Sequence, residues 1–417
     1  MNIMLMDKEK ALIDIDHLFL SVKDKIEAWF ENQWQTIDAP FYCSTDLRRS
    51  GYKLAPVDTN LFPGGYNNLN PLSYPKAAQA AKKAVLARAP DARRILIVPE
   101  NHTRNEFYLS NVVCLRELLE QAGFDVRVGS LIADITEPTT LSLKTGQQIT
   151  LEPLIREQNK LVLPGFVADA ILLNNDLSSG VPDIIKGLSG QVQLVNLHGG
   201  WWHRRKSMHF EHYRQVAKKF ADAIGIDPWL IDPYFGVCKQ VDFQKRLGEP
   251  CLAEIVDNML KKIQLKYNEY GITEKPYLIL KADAGTYGMG VMAIHDASEV
   301  VNLNRKQRNK MSVIKDGVSV QEVLVQEGVR TVETVDGSTA ESVMYLFGEE
   351  AVGGFYRINR QRNADDNLNS SGMEFVPFGS EEACMKTKKC YANSVVGRLA
   401  AMGAGTELAE LSKEDAL

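Results

Sequence analysis

Apolar residues recur at helical spacing near the start of the chain. Between positions 13 and 34 they fall three or four residues apart, a pattern that predicts one amphipathic helix. Residues 41–75 are instead rich in glycine, proline, asparagine and tyrosine and show little periodicity. We expect an irregular segment there, and an irregular segment of that length inside a compact domain commonly has a functional role.

Strand-like and helix-like patterns alternate over the next part of the chain. The expected helices are 76–89, 112–121 and 209–224, and the expected strands are 95–98, 124–128, 170–173 and 192–197. Such alternation is typical of a mostly parallel sheet covered by helices on both faces. The segment 139–151 has Thr145-Gly146 at its centre, which favours an inserted hairpin.

A turn-rich segment at 225–236, with two Asp-Pro pairs, marks a boundary. Beyond it the patterns predict a further series of helices and strands: a helix at 252–270, strands at 277–281, 291–294, 318–325 and within 342–357, and a final helix at 390–401 that ends near Gly403. We therefore predict an α/β protein of several domains, since 417 residues exceed the usual size of one domain.

The overall composition is that of an ordinary globular protein. Hydrophobic residues make up 45% and charged residues 24%, and the net charge is −5. This balance gives no general attraction to nucleic acid or to an anionic membrane. No apolar run approaches the ~18–20 residues that span a bilayer, and the first residues lack the order of a secretory signal.

The six cysteines are scattered without a CxxC pair, which in a chain of this length indicates reduced thiols. We expect a cytoplasmic protein that binds small molecules, with no nucleic-acid or membrane partner. Association into homo-oligomers is left open by the sequence.

The segment PYLILKADAGTYGMGVMAI carries the clearest candidate chemistry. An apolar strand ends at Lys281, and Gly285, Gly288 and Gly290 follow before the next strand. A lysine supplies fixed positive charge, and glycines let backbone N–H groups approach phosphate oxygens. The spacing matches neither GxxxxGK[ST] nor GxGxxG. The alternative is a glycine-rich hairpin turn that carries an incidental lysine.

Two segments downstream add to this picture. The strand-like run VLVQEGV contains Gln326-Glu327, and a later hairpin pattern ends with Arg357 and Arg360. The following NADDNLNSSG supplies oxygen donors of the type that Mg²⁺ prefers.

In this order the segments resemble the ATP-grasp superfamily over roughly residues 229–378. The resemblance implies that Lys281 and Arg357 are the catalytic cations at the phosphates and that residues 326–329 form the hinge around adenine. The ATP-binding residues it implies are Lys281, Gly285, Thr286, Gly288, Gly290, Gln326, Glu327 and Val329. The family's late Glu-x-Asn metal pair is missing after Phe378. Glu341, Asn367 and Asn369 are the substitutes that we expect to hold Mg²⁺.

A narrower resemblance covers nearly the whole chain. The segments STDLRRSGYKLAPVDTNLFPGGYNNL, VPENHTRN, NLHGGWWHRR and KADAGTYGMGV together are similar to the ATP-grasp-type glutamate–cysteine ligase family of proteobacteria. Membership would imply that ATP, L-glutamate and L-cysteine are converted through an acyl phosphate to γ-glutamylcysteine, ADP and phosphate, which is the first step of glutathione synthesis.

The same resemblance shapes the expected division of the chain. We predict a Rossmann-like α/β substrate-binding domain at 1–224, followed by an ATP-grasp-like α+β region for the nucleotide. The latter comprises a lid subdomain with the glycine-rich loop at 225–325 and a C-terminal subdomain at 326–417.

Charged and amide side chains in residues 44–69 suit an amino-acid substrate. The candidate substrate-binding residues are Arg48, Asp58, Asn60, Asn67 and Asn68, with Arg49 and Lys53 as further partners for a carboxylate. The alternative is a long loop of solvated charges and turn-forming asparagines.

Other clusters favour a structural interpretation. His198, His203, His209 and His212 could suggest zinc, but their spacing to cysteines and acids fits no ligand pattern. The basic run at 305–310 is most simply a solvated helix face. Two rival functions stay open: another ATP-grasp ligase, or a nucleotide-binding scaffold without turnover.

Overall fold

The computed structural model describes residues 14–284, 290–312, 320–379 and 387–414. The α-helices of these parts are α1 (Ile15–Ser21), α2 (Lys23–Trp34), α3 (Tyr74–Arg88), α4 (Glu106–Gln121), α5 (Lys206–Ile224), α6 (Glu249–Glu269), α7 (Ala297–Val301), α8 (Arg305–Ser312) and α9 (Lys388–Glu414).

Nineteen strands lie in the same parts of the chain. They are β1 (Tyr42–Arg49), β2 (Leu54–Asn60), β3 (Arg94–Pro99), β4 (Asp125–Ser130), β5 (Thr139–Ser142), β6 (Gln148–Pro153), β7 (Ile155–Glu157), β8 (Lys160–Leu163), β9 (Phe166–Val167), β10 (Ala170–Asn174), β11 (Val192–Gln193), β12 (Phe235–Lys239), β13 (Leu278–Ala282), β14 (Val291–Ile294), β15 (Glu322–Glu327), β16 (Thr334–Val335), β17 (Ser338–Phe347), β18 (Glu350–Asn359) and β19 (Met373–Pro377).

The alternating segment folds into a six-stranded, mostly parallel sheet in the order β11-β10-β3-β4-β6-β5. The middle of β3, Ile95 to Val98, is fully buried, because helices α3 and α4 pack in the same core. The predicted hairpin is confirmed as the antiparallel pair β5–β6. The predicted strand at 192–197 is shorter, since pairing with β10 stops after Gln193.

A second sheet joins distant parts of the chain, in the order β19-β18-β17-β1-β2 with β16 on the side. We call it the composite sheet. The expectation of an irregular segment at 41–75 was wrong for its first half, because β1 and β2 are regular strands there. The sequence hid them because β1 is almost entirely buried and its charged residues pair across strands, so polar and apolar positions do not alternate.

A four-stranded antiparallel sheet, β12-β15-β13-β14, carries the predicted strands at 277–281 and 291–294. Helix α6 buries Leu252, Val256 and Ile263 in the core that this sheet shares. A small three-stranded sheet, β7-β8-β9, completes the set of sheets in the described segments.

Two helix predictions needed correction. The opening helix is broken at Val22 into α1 and α2. The final helix does not end near Gly403 but continues to Glu414. A Cβ at Gly403 would lie 2.9 Å from the Cα of Tyr213, and one at Gly405 would lie 2.4 Å from the carbonyl oxygen of Asp38. These glycines therefore permit close packing of α9 and do not terminate it.

The model is thus a mixed α/β structure with several sheets. The composite sheet combines strands from both sides of the predicted boundaries at 224 and 325, and the division into three regions stays a prediction. Among the described helices, none is long and apolar enough to cross a membrane.

Candidate active site

A cleft of about 700 Å³ lies between the composite sheet and the four-stranded sheet. Its wall is formed by charged, amide and small apolar side chains from both sheets, from the first turn of α5 and from the segment after β18. They are Asp46, Arg48, Val57, Asp58, Lys206, Ile279, Lys281, Ala282, Val291, Gln326, Glu327, Val329, Glu341, Asp366, Asn367 and Asn369.

One face of the composite sheet changes from apolar to charged along the strands. Asp46 lies opposite Val343 in the register of β1 and β17, and Glu341 lies opposite Arg357 in that of β17 and β18. Residues opposite each other point to the same face. Val343 and Tyr345 on this face pack in the core with α3, whereas the charged end lines the cleft.

Buried ion pairs organise that charged end. Glu341 accepts from Arg48 Nε at 2.8 Å and from Arg357 Nη1 at 2.6 Å, and Asp46 also accepts from Arg357 at 2.8 Å. Burial opposes ionisation of Glu341, but the two guanidiniums lower its pKa. The pKa of Asp46 is raised because burial outweighs the attraction of Arg357. The pKa of Arg357 is raised by the two carboxylates against the effect of burial.

Two lysines approach the cleft from other elements. Lys206, the first residue of α5, donates to both oxygens of Asp58 at 2.6 and 2.7 Å. Lys281 on β13 donates to the Val57 carbonyl at 2.6 Å and to Gln326 Oε1 at 2.7 Å. Burial lowers the pKa of Lys281 to about 8, with Asp58 acting in the opposite direction. The pKa of Asp58 is lowered by both lysines, although burial opposes this.

Gln326 and Glu327 on β15, which the sequence analysis places in a hinge, point their side chains in opposite directions. Gln326 faces the cleft, and its Nε2 is buried without a hydrogen-bond partner in the described parts of the chain. The Glu327 carboxylate accepts from Lys53 Nζ at 2.9 Å, Trp229 Nε1 at 3.0 Å and Tyr234 N at 2.9 Å. This carboxylate is therefore engaged behind the cleft wall, and the Glu327 N–H donates to the Tyr234 carbonyl oxygen at 2.7 Å.

The proposed metal donors lie at the same cleft. Glu341, Asn367 and Asn369 all line it, but both Glu341 oxygens accept from arginine and Asn367 Oδ1 accepts from Asn369 N at 3.0 Å. No group of three or more His, Cys, Asp or Glu in the described ranges is arranged to hold a metal ion. The donor types still fit Mg²⁺, which takes one or two carboxylates together with phosphate oxygens.

Several residues singled out from the sequence lie elsewhere. Asn60, Asn67 and Asn68 do not line the cleft, and Arg49 contacts Asp16 and Asn393. Gly285, Thr286 and Gly288 fall outside the described residues. Gly290 precedes the cleft-lining Val291, and its carbonyl oxygen accepts a hydrogen bond from Ala282 N–H at 3.0 Å.

Two of the four histidines singled out above lie beside acidic residues: His209 Nδ1 is 3.0 Å from Glu407 and His212 is 3.4 Å from Glu410.

Three charged cleft residues were missed by the sequence analysis: Asp46, Lys206 and Asp366. Asp46 lies two residues before Arg48 within the same strand, so the period of two along a strand could have identified it. Lys206 directly follows the segment NLHGGWWHRR, but no local pattern separates it from a solvated lysine.

The chemistry of the cleft suits a nucleoside triphosphate. Ile279, Val291 and Val329 provide apolar surface for a flat base, and Lys281 and Lys206 provide charge for phosphates. Besides Gln326 Nε2, the buried Nε of Arg357 is also without a partner in the described segments. Such unpaired donors are costly unless a ligand or water satisfies them.

Comparisons with known proteins agree with this interpretation. The family model of glutamate–cysteine ligase matches residues 16–408. A protein from Methylobacillus flagellatus, provisionally named gamma-glutamylcysteine synthetase, has a solved structure with a TM-score of 0.88 and 50% identity, covering 98% of each chain. The comparison with curated proteins found no match.

Two more distant solved structures are similar in part. A glutathione synthetase-like effector from Globodera pallida has a TM-score of 0.40 at 11% identity, covering 83% of this chain and 76% of its own. D-alanyl-alanine synthetase A from Vibrio cholerae has a TM-score of 0.32 at 11% identity, covering 73% of this chain and 80% of its own. Similarities with such low TM-scores and identities support no conclusion about this chain. Because the family model spans nearly the whole sequence, the chain belongs to the glutamate–cysteine ligase family.

Proposed function

We propose that this chain joins the γ-carboxylate of L-glutamate to the amine of L-cysteine at the expense of ATP, giving γ-glutamylcysteine, ADP and phosphate, the first step of glutathione biosynthesis. The observation that carries the proposal is one cleft in which an apolar wall adjoins three buried cations, Arg48, Lys206 and Lys281, in a member of the glutamate–cysteine ligase family. An apolar surface suits adenine, and the cations suit phosphates and a substrate carboxylate.

ATP binds against the four-stranded sheet. The adenine lies on Ile279, Val291 and Val329, beside the proposed hinge at residues 326–329. Lys281 extends from the same sheet towards the phosphates, and we also assign Gly285, Thr286, Gly288 and Gly290 to ATP binding on the strength of the family resemblance. The unpaired Gln326 Nε2 supports a ligand at this wall. An ATP-grasp-like arrangement of this region is part of the proposal, as is a Rossmann-like N-terminal domain.

The amino-acid substrates bind towards the composite sheet. Arg48 and Arg357 suit a carboxylate, and Asp58 suits an ammonium group. Lys206 holds Asp58 in place. Asn60, Asn67 and Asn68 follow Asp58 along the chain, outside the cleft, and we retain them as contacts to the distal end of a substrate.

Glu341, with Asn367 and Asn369, would hold Mg²⁺ beside the phosphates. The metal would supply positive charge at the transferring phosphoryl group. In this arrangement Glu341 keeps Arg48 and Arg357 oriented through its present hydrogen bonds, since each carboxylate oxygen can accept a second contact.

The chemistry needs no protein nucleophile. The γ-carboxylate of glutamate attacks the γ-phosphorus of ATP, which forms an acyl phosphate and releases ADP. The amine of cysteine then attacks the acyl carbon and phosphate leaves. Lys281 and Arg357 neutralise the charge that spreads over the phosphoryl oxygens, and the cleft holds the reactants in line.

Product analysis tests this reaction directly. ADP and phosphate should form only when glutamate and cysteine are both present, and hydroxylamine in place of cysteine should trap a glutamyl hydroxamate. AMP and pyrophosphate would point to adenylation and reject the acyl phosphate. ADP release with a different acid and amine pair would identify another ligase, and no turnover with any pair would identify a binding scaffold.

A cytoplasmic location and association into homo-oligomers also stay proposals. Fractionation of cells that express the tagged chain, and light scattering of the purified protein, would test them separately.

A further inference from the structure

Two cysteines of the four-stranded sheet region lie next to each other. Cys238 is on β12 and Cys251 is in the first turn of α6, and their Sγ atoms are 3.4 Å apart. Both thiols are free. A disulfide has an S–S distance of about 2.05 Å, so bond formation requires the two sulfurs to approach each other by about 1.4 Å from their present 3.4 Å.

The fold holds this pair together through the short segment between its two elements. After β12 the chain turns back through a bridge between Asp242 and Leu247, and α6 begins after Gly248, which has a φ of +78°. A Cβ at Gly248 would lie 3.1 Å from the Gln240 carbonyl oxygen. The chain reversal is therefore tight, and it brings the first turn of α6 back against the end of β12.

The two thiols differ in their environment. Cys251 is exposed, whereas Cys238 is buried against the sheet. Burial, together with the neighbouring Cys251 thiol, raises the pKa of Cys238 to about 12. Because Cys238 is buried, a reagent in solution can reach only Cys251 of these two thiols. Cys238 can then react with a sulfur atom that is bound next to it. An accessible thiol beside a second, shielded thiol is the arrangement of an attacking and a resolving cysteine.

We propose that Cys238 and Cys251 form a reversible redox-modification site that exchanges with low-molecular-weight disulfides. The Cys251 thiolate attacks a small disulfide, which forms a mixed disulfide and releases one thiol. Cys238 loses its proton and attacks the Cys251 sulfur, which forms the intramolecular disulfide and releases the second thiol. Two protein thiols are oxidised, and one small disulfide is reduced to two thiols.

The position of the site gives the modification a structural consequence. Cys238 pairs with Val323 and Phe235 pairs with Gln326 in the register of β12 and β15, so the disulfide would tie α6 to a strand that borders the hinge. A cross-link removes freedom from the unfolded chain, and the oxidised protein should melt at a higher temperature. This inference does not depend on the proposed reaction, because exchange is read from the thiols themselves.

The test uses the purified full-length chain, reduced and then incubated with hydroxyethyl disulfide, an uncharged small disulfide. After alkylation of free thiols and cleavage with trypsin, mass spectrometry should detect residues 220–239 joined to residues 247–261, with the cross-link reversed by dithiothreitol. Cys114→Ser, which removes a buried cysteine of the other core, should give the same cross-linked peptide.

Cys251→Ser provides the decisive variant, because it changes an exposed side chain and the protein should fold normally. Its Cys238 should stay unmodified by the oxidant, and the cross-linked peptide should be absent after oxidation. A wild-type protein in which Cys251 stays in a mixed disulfide while Cys238 is reduced would overturn the proposal, as would a wild-type protein in which both thiols stay reduced.

Discussion

Charged side chains at the cleft are buried in mutually dependent groups. Arg48, Glu341, Arg357 and Asp46 form one group, and each has less than a tenth of its surface exposed. An isolated buried charge is costly, and the cost is reduced only by partners that satisfy its hydrogen bonds. At the residue scale, therefore, replacing one member of the group changes the environment of the others.

Lys281 is the residue whose replacement should affect catalysis most directly. Lys281→Met keeps the apolar stem, so the protein should fold, but kcat should fall by about 10²–10³-fold because a fixed charge at the phosphates is lost. Steady-state ADP release measures this. Lys306→Met, at an exposed position on α8, is the matched control and should retain full activity. Turnover of the Lys281 variant within a few-fold of wild type would contradict the assignment.

The same lysine should make ATP binding depend on pH. Burial lowers the pKa of Lys281 to about 8 in the free protein, and bound phosphates favour the protonated form. Affinity for ATP should therefore be greatest below pH 8 and fall as the pH rises through that value. Calorimetric titration with ATP at several pH values measures the change. The ATP affinity of Lys281→Met should stay constant over the same pH range. An equal fall in the variant would assign the titration to another group.

Replacement of Glu341 distinguishes a role in holding Mg²⁺ from a role in stabilising the fold. Glu341→Gln leaves Arg48 and Arg357 without their shared carboxylate, which should lower the free energy of unfolding by about 3–5 kcal/mol. If Glu341 also holds Mg²⁺, the variant needs more Mg²⁺ for half-maximal activity. Urea unfolding and Mg²⁺ titration measure the two effects. Glu374→Gln, in an exposed pair with Arg360, should change stability by less than about 1 kcal/mol. An unchanged Mg²⁺ requirement would remove Glu341 from the metal site.

At the element scale, the β1–β2 hairpin connects the two walls of the cleft. Its strands carry Asp46, Arg48 and Asp58, and the turn between them inserts Lys53 beside Glu327 on β15. Tyr52 in the same turn stacks on Trp229 with ring centroids 5.9 Å apart. The hairpin thus supports the hinge from behind while its strands line the proposed amino-acid end of the cleft.

Removing Lys53 should show this support. Lys53→Met leaves the Glu327 carboxylate buried with a missing partner, so the free energy of unfolding should fall by about 3–5 kcal/mol and the KM for ATP should rise more than that for glutamate. Adding Glu327→Gln to Lys53→Met removes the buried charge that has lost its partner. The double variant should therefore lose less free energy of unfolding than the two single variants lose together. Additive losses in urea unfolding would show that the two residues act independently.

At the scale of the whole molecule, α9 connects parts of the chain that are far apart in sequence. Glu407 on this helix accepts from Arg204 Nε at 2.8 Å and lies 3.0 Å from His209 Nδ1 on α5. Arg204 also donates to the Thr59 carbonyl at 2.6 Å. One buried carboxylate thereby joins α9, α5 and β2, the strand that carries Asp58.

This carboxylate predicts a pH dependence of stability. Burial opposes its charge, but Arg204 and His209 lower the pKa of Glu407 to about 2, from 4.5. A lowered pKa stabilises the folded protein above the unfolded value, and that stabilisation is lost as the pH falls from about 4.5 towards 2. Glu407→Gln should therefore cost about 3 kcal/mol at neutral pH, with the difference from wild type narrowing in acid.

Unfolding by urea at pH 7 and at pH 3 measures that difference. Glu410→Gln, at an exposed position on the same helix, is the control and should be close to wild type at both pH values. A gap between the Glu407 variant and wild type that stays constant with pH would show that the ionised carboxylate is not the source of the stabilisation.

Prediction from the sequence succeeded where the pattern that defines an element lies within one short stretch of the chain. The strands around Lys281, the hairpin at 139–151 and the alternating helices and strands of the parallel sheet have local periodicity. The strands β1 and β2 were missed because their polar residues are satisfied by partners far away, such as Glu341 for Arg48, 293 positions apart. Residues like Lys206 have no local signature, since nothing nearby distinguishes a buried lysine from a solvated one.

The sequence by itself determined the α/β class and the strands that carry Lys281 and Gln326, because hydrophobic periodicity acts within a few residues. Only the tertiary structure decided that Asp46, Arg48 and Glu341 lie on one sheet face, and that the Glu327 carboxylate turns away from the cleft towards Lys53. Those choices depend on strand register between distant segments and on the pairing of buried charges, and both are settled when the whole chain packs.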